Sequence, residues 1–400
     1  MADRICPNTK IRWSCAAAGV FLVLPSLASA QQYHLTDLGT VFSPGGTSYG
    51  FEVNSQGQCV GFSGGSQAEQ VPAIYTNGSG MQSLGNFGSD FLGMAVDIND
   101  SGQAVGFDYF AGGSGSQARA LLWSGGSVTD IGALGSTLNA YAYGINNAGQ
   151  VVGEDDASGA RAFSWTQGGG IVALAPLSGQ TNSSASDVDS TGVVVGSSGN
   201  LGTKWVNGVP SPISASESLG PAYFINGLGH VTGSNGPSTY LWRSGQATVS
   251  LGLLPGLANA NGGSLNDADV VVGTAFNNAS DPASAWRAWV WDSQHGMRDL
   301  NSLVDSSGAG WTLFEAGGIN NQGQISGTGL SNNGTVEHAF RLEPVPEPSG
   351  VLAIGLGCLI LCRRRRTVEA PQGEAVHASA RSVEELPRSP RQVPRLSMTS

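Results

Sequence analysis

Apolar and polar positions along the chain repeat one short pattern seven times. Each copy has an apolar residue, an Asn or Asp, two turn residues, usually a Gly, and then a short apolar run that ends in Gly. The copies start at Val53, Ile98, Ile145, Val188, Ile225, Leu265 and Ile319. Asn and Asp favour turns, and Gly takes positive φ at little cost, so each copy predicts a β-hairpin with a four-residue connection. The sixth copy has Asp269 in place of the Gly.

Two further motifs follow each hairpin in a fixed order. A small residue followed by apolar and aromatic residues occurs at 73–75, 120–123, 162–165, 203–205, 239–242, 288–291 and 339–342. A short strand that ends in Leu-Gly or a close variant includes Leu38, Leu84, Ile131, Leu174, Leu219, Leu251 and Leu300. A hairpin, an aromatic strand and a Leu-Gly strand together supply four strands per unit.

The order of these units predicts a closed ring. The seventh unit ends at Pro344 without a Leu-Gly strand, whereas the chain begins with an unmatched one at 33–39. First and last strands that share a sheet leave no long edge open. We therefore predict an all-β fold, a seven-bladed β-propeller of four-stranded blades over residues 31–344, closed by the N-terminal strand. Each blade would have about 45 residues. A short C-terminal membrane helix is expected to follow.

The N-terminal 30 residues have the pattern of an export signal. Arg4, Lys10 and Arg12 precede a charge-free run at 16–24, and small residues stand at Ala28 and Ala30. This pattern predicts a signal peptide over residues 1–30, exported by the secretion machinery and cleaved after Ala30 by signal peptidase. An uncleaved membrane anchor is the alternative.

The C-terminal segment 345–366 has the pattern of a membrane-sorting tail. Pro346, Glu347 and Pro348 precede an uncharged stretch at 350–362 and a basic cluster of Arg363, Arg364, Arg365 and Arg366. This order obeys the positive-inside rule and leaves the repeats outside the cell. The apolar run is short for a spanning helix. A plain anchor is the alternative, and residues 367–400 are expected to be a disordered tail.

Two resemblances to known families add to this interpretation. Segments 143–153, 36–40 and 337–340 resemble the bacterial HAF repeat, which is named for a triplet matched here by His338, Ala339 and Phe340. The likeness covers nearly all of 31–344 and implies an extracellular protein without an established activity. The tail resembles the PEP-CTERM sorting signal, with Pro346, Glu347 and Pro348 as its motif and the four arginines as its basic stop. That resemblance implies processing by an exosortase-type membrane peptidase.

Charge and cysteine usage narrow the possible functions. Residues 31–349 contain 24 acidic and seven basic residues, so this segment carries a formal charge of −17 although the whole chain carries −11. A domain without a cationic face should not bind nucleic acid. Cys59 is the one cysteine in this segment, so no disulfide can form there. We expect Cys59 to be a buried strand residue rather than a nucleophile.

No motif for metal, cofactor or catalytic chemistry is evident. The five histidines lack metal-ligand spacing. His34 and His338 lie on strands that should be neighbours, although two independent histidines are the simpler interpretation. Turn chemistry is favoured over calcium binding for an acidic set made up of Asp100, Asp189, Asp267 and Asp269. Glu154, Asp155 and Asp156 are interpreted as a solvated loop, and no set of convergent titratable groups is evident.

Aromatic residues and insertions are the remaining candidates for binding. One aromatic residue recurs per unit, at Tyr75, Trp123, Trp165, Trp205, Trp242 and Trp291. Core packing is favoured for this set over carbohydrate stacking. The insertions 108–116 and 277–286 are better site candidates, because loops of unequal length carry function.

The sequence predicts a non-enzymatic cell-surface or extracellular-matrix protein. It would pass transiently through the inner membrane by its C-terminal segment and then associate with extracellular polysaccharide. A glycan-binding, lectin-like propeller and a polysaccharide-degrading propeller enzyme are the two alternatives, because propeller folds support all three functions.

Overall fold

The computed structural model describes residues 31–42, 45–65, 69–87, 92–112, 115–135, 139–156, 159–277, 286–331 and 334–346. The signal peptide with Ala28 and Ala30, and the tail from Glu347 onward with its four arginines, lie outside these residues. Pro346 is described and exposed. The described part contains no helix that is long and apolar enough to cross a membrane.

Almost all regular structure in the described residues is antiparallel β-sheet. The strands form four-stranded units that we number as sheets 1 to 7 in chain order; sheets 1 and 2 are joined by one parallel pair, Gln70 with Leu92. Sheet 1 contains β2 (Thr47–Val53), β3 (Cys59–Gly64), β4 (Gln70–Thr76) and β5 (Gly80–Ser83). Sheet 2 contains β6 (Leu92–Ile98), β7 (Ala104–Gly112), β8 (Gly115–Ser124) and β9 (Ser127–Asp130). Sheet 3 contains β10 (Ala140–Ile145), β11 (Val151–Asp155), β12 (Arg161–Thr166) and β13 (Gly170–Ala173).

The remaining sheets repeat this up-and-down arrangement. Sheet 4 contains β14 (Ser183–Val188), β15 (Val194–Ser198), β16 (Leu201–Val206) and β17 (Val209–Pro212). Sheet 5 contains β18 (Ala222–Ile225), β19 (Val231–Asn235), β20 (Ser238–Trp242) and β21 (Val249–Ser250). Sheet 6 contains β22 (Asn259–Leu265), β23 (Val271–Phe276), β24 (Arg287–Asp292) and β25 (Gly296–Asp299). Sheet 7 contains β26 (Thr312–Ile319), β27 (Ile325–Ser331), β28 (Val336–Pro344) and β1 (Tyr33–Asp37). Two short 3-10 helices, Leu300–Ser302 and Ser306–Gly308, precede β26.

The repeated Asn-containing motif forms the turn between the first two strands of every sheet. Five residues connect these strands, Asn54 to Gln58 in sheet 1, and not the four predicted. The turn is closed by the Gly57 amide, which donates to the Asn54 carbonyl over 3.0 Å, and Gly57 has φ 73°. Asp269 takes the equivalent position in sheet 6 with φ 58°, so the predicted role of this position is confirmed.

The N-terminal strand completes the last sheet. β1 pairs antiparallel with β28, from Tyr33 opposite Pro344 to Asp37 opposite Phe340. His338 Nδ1 lies 3.0 Å from both carboxylate oxygens of Asp37, whereas His34 Nδ1 lies 3.2 Å from Asp305. The two histidines therefore contact different aspartates, as the simpler interpretation expected.

The hydrophobic core is distributed between neighbouring sheets. Seven clusters of buried residues are present in the described part, and each combines side chains from two consecutive sheets. Leu38 and Ala339 of sheet 7 pack with Val53 and Cys59 of sheet 1. Cys59 is 2% exposed, and burial raises the pKa of its thiol to about 12, so its prediction as a buried residue is confirmed.

The recurrent aromatic residues belong to this core. Trp205 is fully buried, and its indole Nε1 donates to the Ala175 carbonyl of the preceding sheet over 2.7 Å. Trp123 makes the same bond to Gly85 over 2.8 Å. Each of the six aromatic residues packs in one of the inter-sheet clusters, which confirms core packing for this set.

A chain of side-chain hydrogen bonds connects the turns of successive sheets. The Oδ1 atom of Asn54 accepts the amides of Gln56 and Gln58 within its own turn, at 3.1 and 2.9 Å. Its Nδ2 group donates to the carbonyl of Asn99, the equivalent residue of the next sheet, over 3.1 Å. Equivalent donations run from Asn99 to Asn146, Asn146 to Asp189, Asn226 to Asn266, Asn266 to Asn320, and Asn320 to Asn54, at 2.9–3.1 Å.

The chain of turn-to-turn bonds is interrupted at the fourth sheet. Asp189 accepts the amides of Thr191 and Val193 at 2.8 and 2.9 Å, so it closes its own turn as the asparagines do. A carboxylate has no N–H donor, and Asp189 therefore makes no donation toward Asn226. The carboxylate of Asp189 keeps the acceptor role of the Asn side chain and loses its donor role.

Sheets 5 and 6 replace a second recurrent contact. In sheet 1 the Oε1 atom of Gln58 accepts from Asn54 Nδ2 and lies near Gly102 of the next turn. His230 takes the position of this Gln in sheet 5, and its Nδ1 lies 2.7 Å from Asp269, which takes the position of the Gly in sheet 6. Asp269, which replaces the usual Gly, therefore has His230 as its partner. Arg243 Nε also donates to Asp269, over 2.8 Å.

Two further sequence assignments are wrong. The fourth strand of sheet 4 ends at Pro212, and the residue that follows it is Ile213 rather than Leu219. The Ile213 amide donates to the Gly202 carbonyl as the Leu84 amide does to Pro72. Glu154–Asp156 is not a solvated loop. Asp155 is fully buried, and its Oδ2 accepts the Leu134 amide at 2.6 Å.

Replacing Asp189 with Asn should stabilise the protein. The new Nδ2 group would donate to Asn226 and keep the turn acceptor, which is worth about 1 kcal/mol, or a few degrees in the thermal midpoint. Thermal unfolding followed by circular dichroism measures this shift. Asn99→Asp, the matched reverse change, should lower the midpoint. An Asp189→Asn variant no more stable than the wild type would contradict the proposed energetic role of these bonds.

The His338–Asp37 pair should make stability depend on pH. The hydrogen bond to Asp37 raises the pKa of His338 despite burial. Burial alone would raise the pKa of Asp37, but hydrogen bonds from His338 and the Gly39 amide lower it. The histidine contribution is therefore complete below about pH 6.5 and is lost as pH rises through the higher folded pKa. The aspartate contribution is present above about pH 4 and is lost as pH falls through the lower folded pKa.

His338→Gln should lower the thermal midpoint by about 1–3 °C at pH 5.5, and by less at pH 9, because an exposed pair is worth about 0.2–1 kcal/mol. A double-mutant cycle with Asp37→Asn isolates the pair. A coupling free energy that is the same at both pH values would disprove the charged interaction.

Candidate functional site

The first strands of all seven sheets surround a cavity of about 560 Å³, which we call the inner cavity. Its wall is continued by β23 and by Trp286, at the end of the 277–286 insertion. The volume lies within the usual range for small-molecule sites. The inner cavity is therefore large enough for a ligand the size of one or two sugar units.

A β-bulge at the same place in each first strand directs side chains into the inner cavity. The register between the first and second strands shifts just before the apolar residue that precedes the turn, between Ala95 and Asp97 in sheet 2 and between Ala185 and Asp187 in sheet 4. The five other sheets have the equivalent shift. A bulge places an extra residue on one strand and re-aims its side chains. Residues at or beside these bulges supply most of the cavity lining.

Four carboxyl groups line the inner cavity: Glu52, Asp97, Asp187 and Glu315. Two of them also connect neighbouring sheets. Asp97 accepts the amides of Ile98 and Ile145, both at 2.7 Å. Asp187 accepts those of Val188 and Ile225, at 2.7 and 2.9 Å. Each of these carboxylates therefore has a structural role.

The environment of these acids raises the pKa of each of them. Burial, together with the charges of Asp97 and Asp187, holds the pKa of Glu52 well above its usual range. Burial also raises the pKa of Asp97 and of Asp187, although the amides that they accept oppose it. Burial raises the pKa of Glu315 to about 7. Perturbed carboxyl groups in one cavity mark a candidate functional site.

Glu52 differs from the two aspartates in its hydrogen bonding. Its Oε1 atom is buried and has no hydrogen-bond partner among the described residues. A buried acceptor without a donor is costly, and such atoms call for an explanation. A ligand in the inner cavity that carries a donor would supply one.

Aromatic side chains form the rest of the cavity wall. Phe276 and Trp286 pack with ring centroids 5.5 Å apart at an angle of 33°, and Tyr143 and Tyr223 also line the cavity. Tyr143 stacks on Tyr141, with centroids 6.2 Å apart, and its hydroxyl donates to Glu154 at 3.1 Å. Aromatic faces beside a few polar groups are typical of ligand sites.

The sequence candidates have different positions relative to this site. Trp286, the last residue of the 277–286 insertion, lies in the cavity wall, whereas residues 278–285 lie outside the described residues. Tyr109, from the 108–116 insertion, contacts the ring of Tyr141 next to the cavity. Asp100 and Asp267 instead accept amides of the preceding turns, from Ser55 at 2.9 Å and Gly227 at 2.8 Å.

The acidic lining is the feature that sequence reasoning missed. The expectation that titratable groups do not converge was wrong, because four carboxyl groups line one cavity. A signal was present: Glu52, Asp97 and Asp187 occupy the same repeat position, two residues before the turn Asn or Asp. Without the bulges, that position cannot be assigned to an inner surface.

Comparison with known proteins identifies the fold. No protein-family model and no curated protein matches this chain. Virginiamycin B lyase from Staphylococcus aureus is similar in structure, with a TM-score of 0.51 and 11% sequence identity over 78% of this chain and 100% of that one. The WD40 repeats of RRP9 match with a TM-score of 0.47 and 12% identity, over 79% of this chain and 100% of that one. The chain has a β-propeller fold, and identities this low carry no information on activity.

Proposed function

We propose that this chain is an exported, non-catalytic propeller that binds a glycan in its inner cavity and so associates with extracellular polysaccharide. The observation that carries the proposal is the cavity itself, where Trp286 and Tyr143 lie beside carboxyl groups. Aromatic faces can stack on the C–H faces of a sugar, and carboxylates accept hydrogen bonds from its hydroxyls.

We further propose that the propeller has seven blades in a closed ring. The pairing of β1 with β28 supports closure, as does the bond from Asn320 to Asn54. Arg341 of sheet 7 adds a third link, because its Nη2 donates to Asn77 of sheet 1 over 2.9 Å and its guanidinium lies 5.4 Å from the ring centroid of Tyr75. Arg341 is 3% exposed, and its bond to Asn77 is partly buried.

Glycan hydrolysis is the second candidate, and one observation favours it. Glycosidases use two carboxyl groups, one of them with a raised pKa, and the inner cavity has four such groups. Binding is preferred because Asp97 and Asp187 use both of their oxygen atoms to hold backbone amides. Glu52 accepts hydrogen bonds from Ser264 and from the Val53 amide, so Glu315 and the Oε1 atom of Glu52 are the acceptors available to a ligand.

Titration of the purified protein with a panel of oligosaccharides tests glycan binding. Trp286→Ala should weaken binding about tenfold, since one aromatic contact contributes about 0.5–1.5 kcal/mol. Phe110→Ala is the matched control, because Phe110 packs on Arg119 with its ring centroid 3.7 Å away and does not line the inner cavity. Calorimetry gives the affinities. A panel with no binding would refute the proposal, and release of shorter oligosaccharides would favour the enzyme.

Export and sorting are the second part of the proposal. The wild-type protein in its own host should lose residues 1–30 and its C-terminal tail. Pro346→Ala combined with Pro348→Ala should leave the protein in the inner membrane with its tail intact, because the peptidase would lose its motif. Intact mass and membrane fractionation measure both. If the wild type also retains residues beyond Arg366, the segment is an ordinary anchor.

A further inference from the structure

All charged side chains that line the inner cavity have the same sign. Glu52, Asp97, Asp187 and Glu315 are acidic, and no described lining residue is Lys, Arg or His. The surrounding segment 31–349 carries −17, so its field also attracts cations. A cavity walled by low-dielectric protein focuses such a field. This cavity should therefore concentrate positively charged ligands rather than neutral ones.

Two of the carboxyl groups are suited to a ligand that donates hydrogen bonds. The Oε1 atom of Glu52 is buried without a donor from the described residues. Burial raises the pKa of Glu315 to about 7, because no hydrogen bond or positive charge from the described residues stabilises the ionised form of this group enough to offset its loss of hydration. An ammonium group in contact with either carboxylate would supply both the hydrogen bonds and the opposite charge.

The aromatic wall favours an organic cation over a metal ion. Tyr143, Tyr223 and Trp286 line the same cavity as the carboxyl groups. Aromatic rings attract ammonium groups and also pack against the body of an organic molecule. No group of three or more His, Cys, Asp or Glu side chains suitable for a metal ion occurs in the described ranges.

We propose that the inner cavity recognises the protonated amine of an amino sugar, with Glu52 and Glu315 as the acceptors of its hydrogen bonds. The proposal rests on glycan binding in the same cavity and adds the chemical class of the sugar. Acetylation of the amine removes both its charge and two of its N–H donors. The cavity should therefore bind a glucosamine oligomer at least tenfold more tightly than the N-acetylated oligomer of the same length.

Calorimetric titration of the full-length protein with these two oligomers tests the proposal. Glu52→Gln and Glu315→Gln should each weaken binding of the glucosamine oligomer at least tenfold and leave binding of the N-acetylated oligomer unchanged. Glu217→Gln is the matched control, because Glu217 is exposed and lies outside the cavity lining. Both cavity variants should unfold at or above the wild-type temperature at pH 8, because Gln replaces a buried charge.

The possible results separate this inference from the proposed function. Equal affinity for the two oligomers, with both dependent on Trp286, would overturn amine recognition and leave glycan binding intact. No binding of either oligomer, together with Glu52-dependent binding of spermidine, would overturn the sugar class and glycan binding together. Calcium binding that is lost in Glu52→Gln, without binding of any amine, would overturn the organic cation.

Discussion

The amide side chain of the turn Asn is the interaction on which the rest of this structure depends. Its Oδ1 atom closes its own turn through two backbone amides, and its Nδ2 group donates to the equivalent turn of the next sheet. Ser lacks the reach and the second donor, and Asp189 shows that a carboxylate provides acceptors alone. Each turn starts the second strand of its sheet, so the spacing of the turns also sets the spacing of the first strands around the inner cavity.

Local patterns predicted most of the fold because each strand boundary has a chemical cause that is visible in the sequence. The hairpins followed from Asn and Gly, and the pairing of β1 with β28 followed from one unmatched motif. The prediction was wrong where a pattern occurred without its cause. Leu219-Gly220 matches the Leu-Gly motif, but Gly220 does not have the positive φ of Gly85 or Gly132, and Ile213 makes the strand-ending bond. At His230 and Asp269 the usual Gln and Gly are both absent, and the two replacing residues contact each other instead.

The inner cavity could not be predicted for a geometric reason. Alternation along a strand assigns faces by a period of two, and one inserted residue reverses that assignment. No single residue type marks the bulges in the first strands, because the extra residue is Val96, Tyr143, Ser186 or Tyr223 in different sheets. An Asp near such a bulge therefore gives no indication of whether it faces solvent or the cavity. Of the two insertions, only Trp286 at the end of 277–286 is a described lining residue.

The carboxyl groups of the inner cavity are of two kinds, which differ in whether hydrogen bonds to the next sheet offset the loss of stability that burial causes. Acids with raised folded pKa values lower the stability of the protein as pH rises from their unfolded values through the folded ones, so each is a burden near neutrality. Asp97 and Asp187 offset this burden by holding the next sheet through backbone amides. Glu52 has a buried oxygen without a donor among the described residues, and nothing but burial shifts the pKa of Glu315. Selection for stability alone would replace both with Gln. A bound cation would supply the opposite charge and the hydrogen-bond donors that these two acids lack.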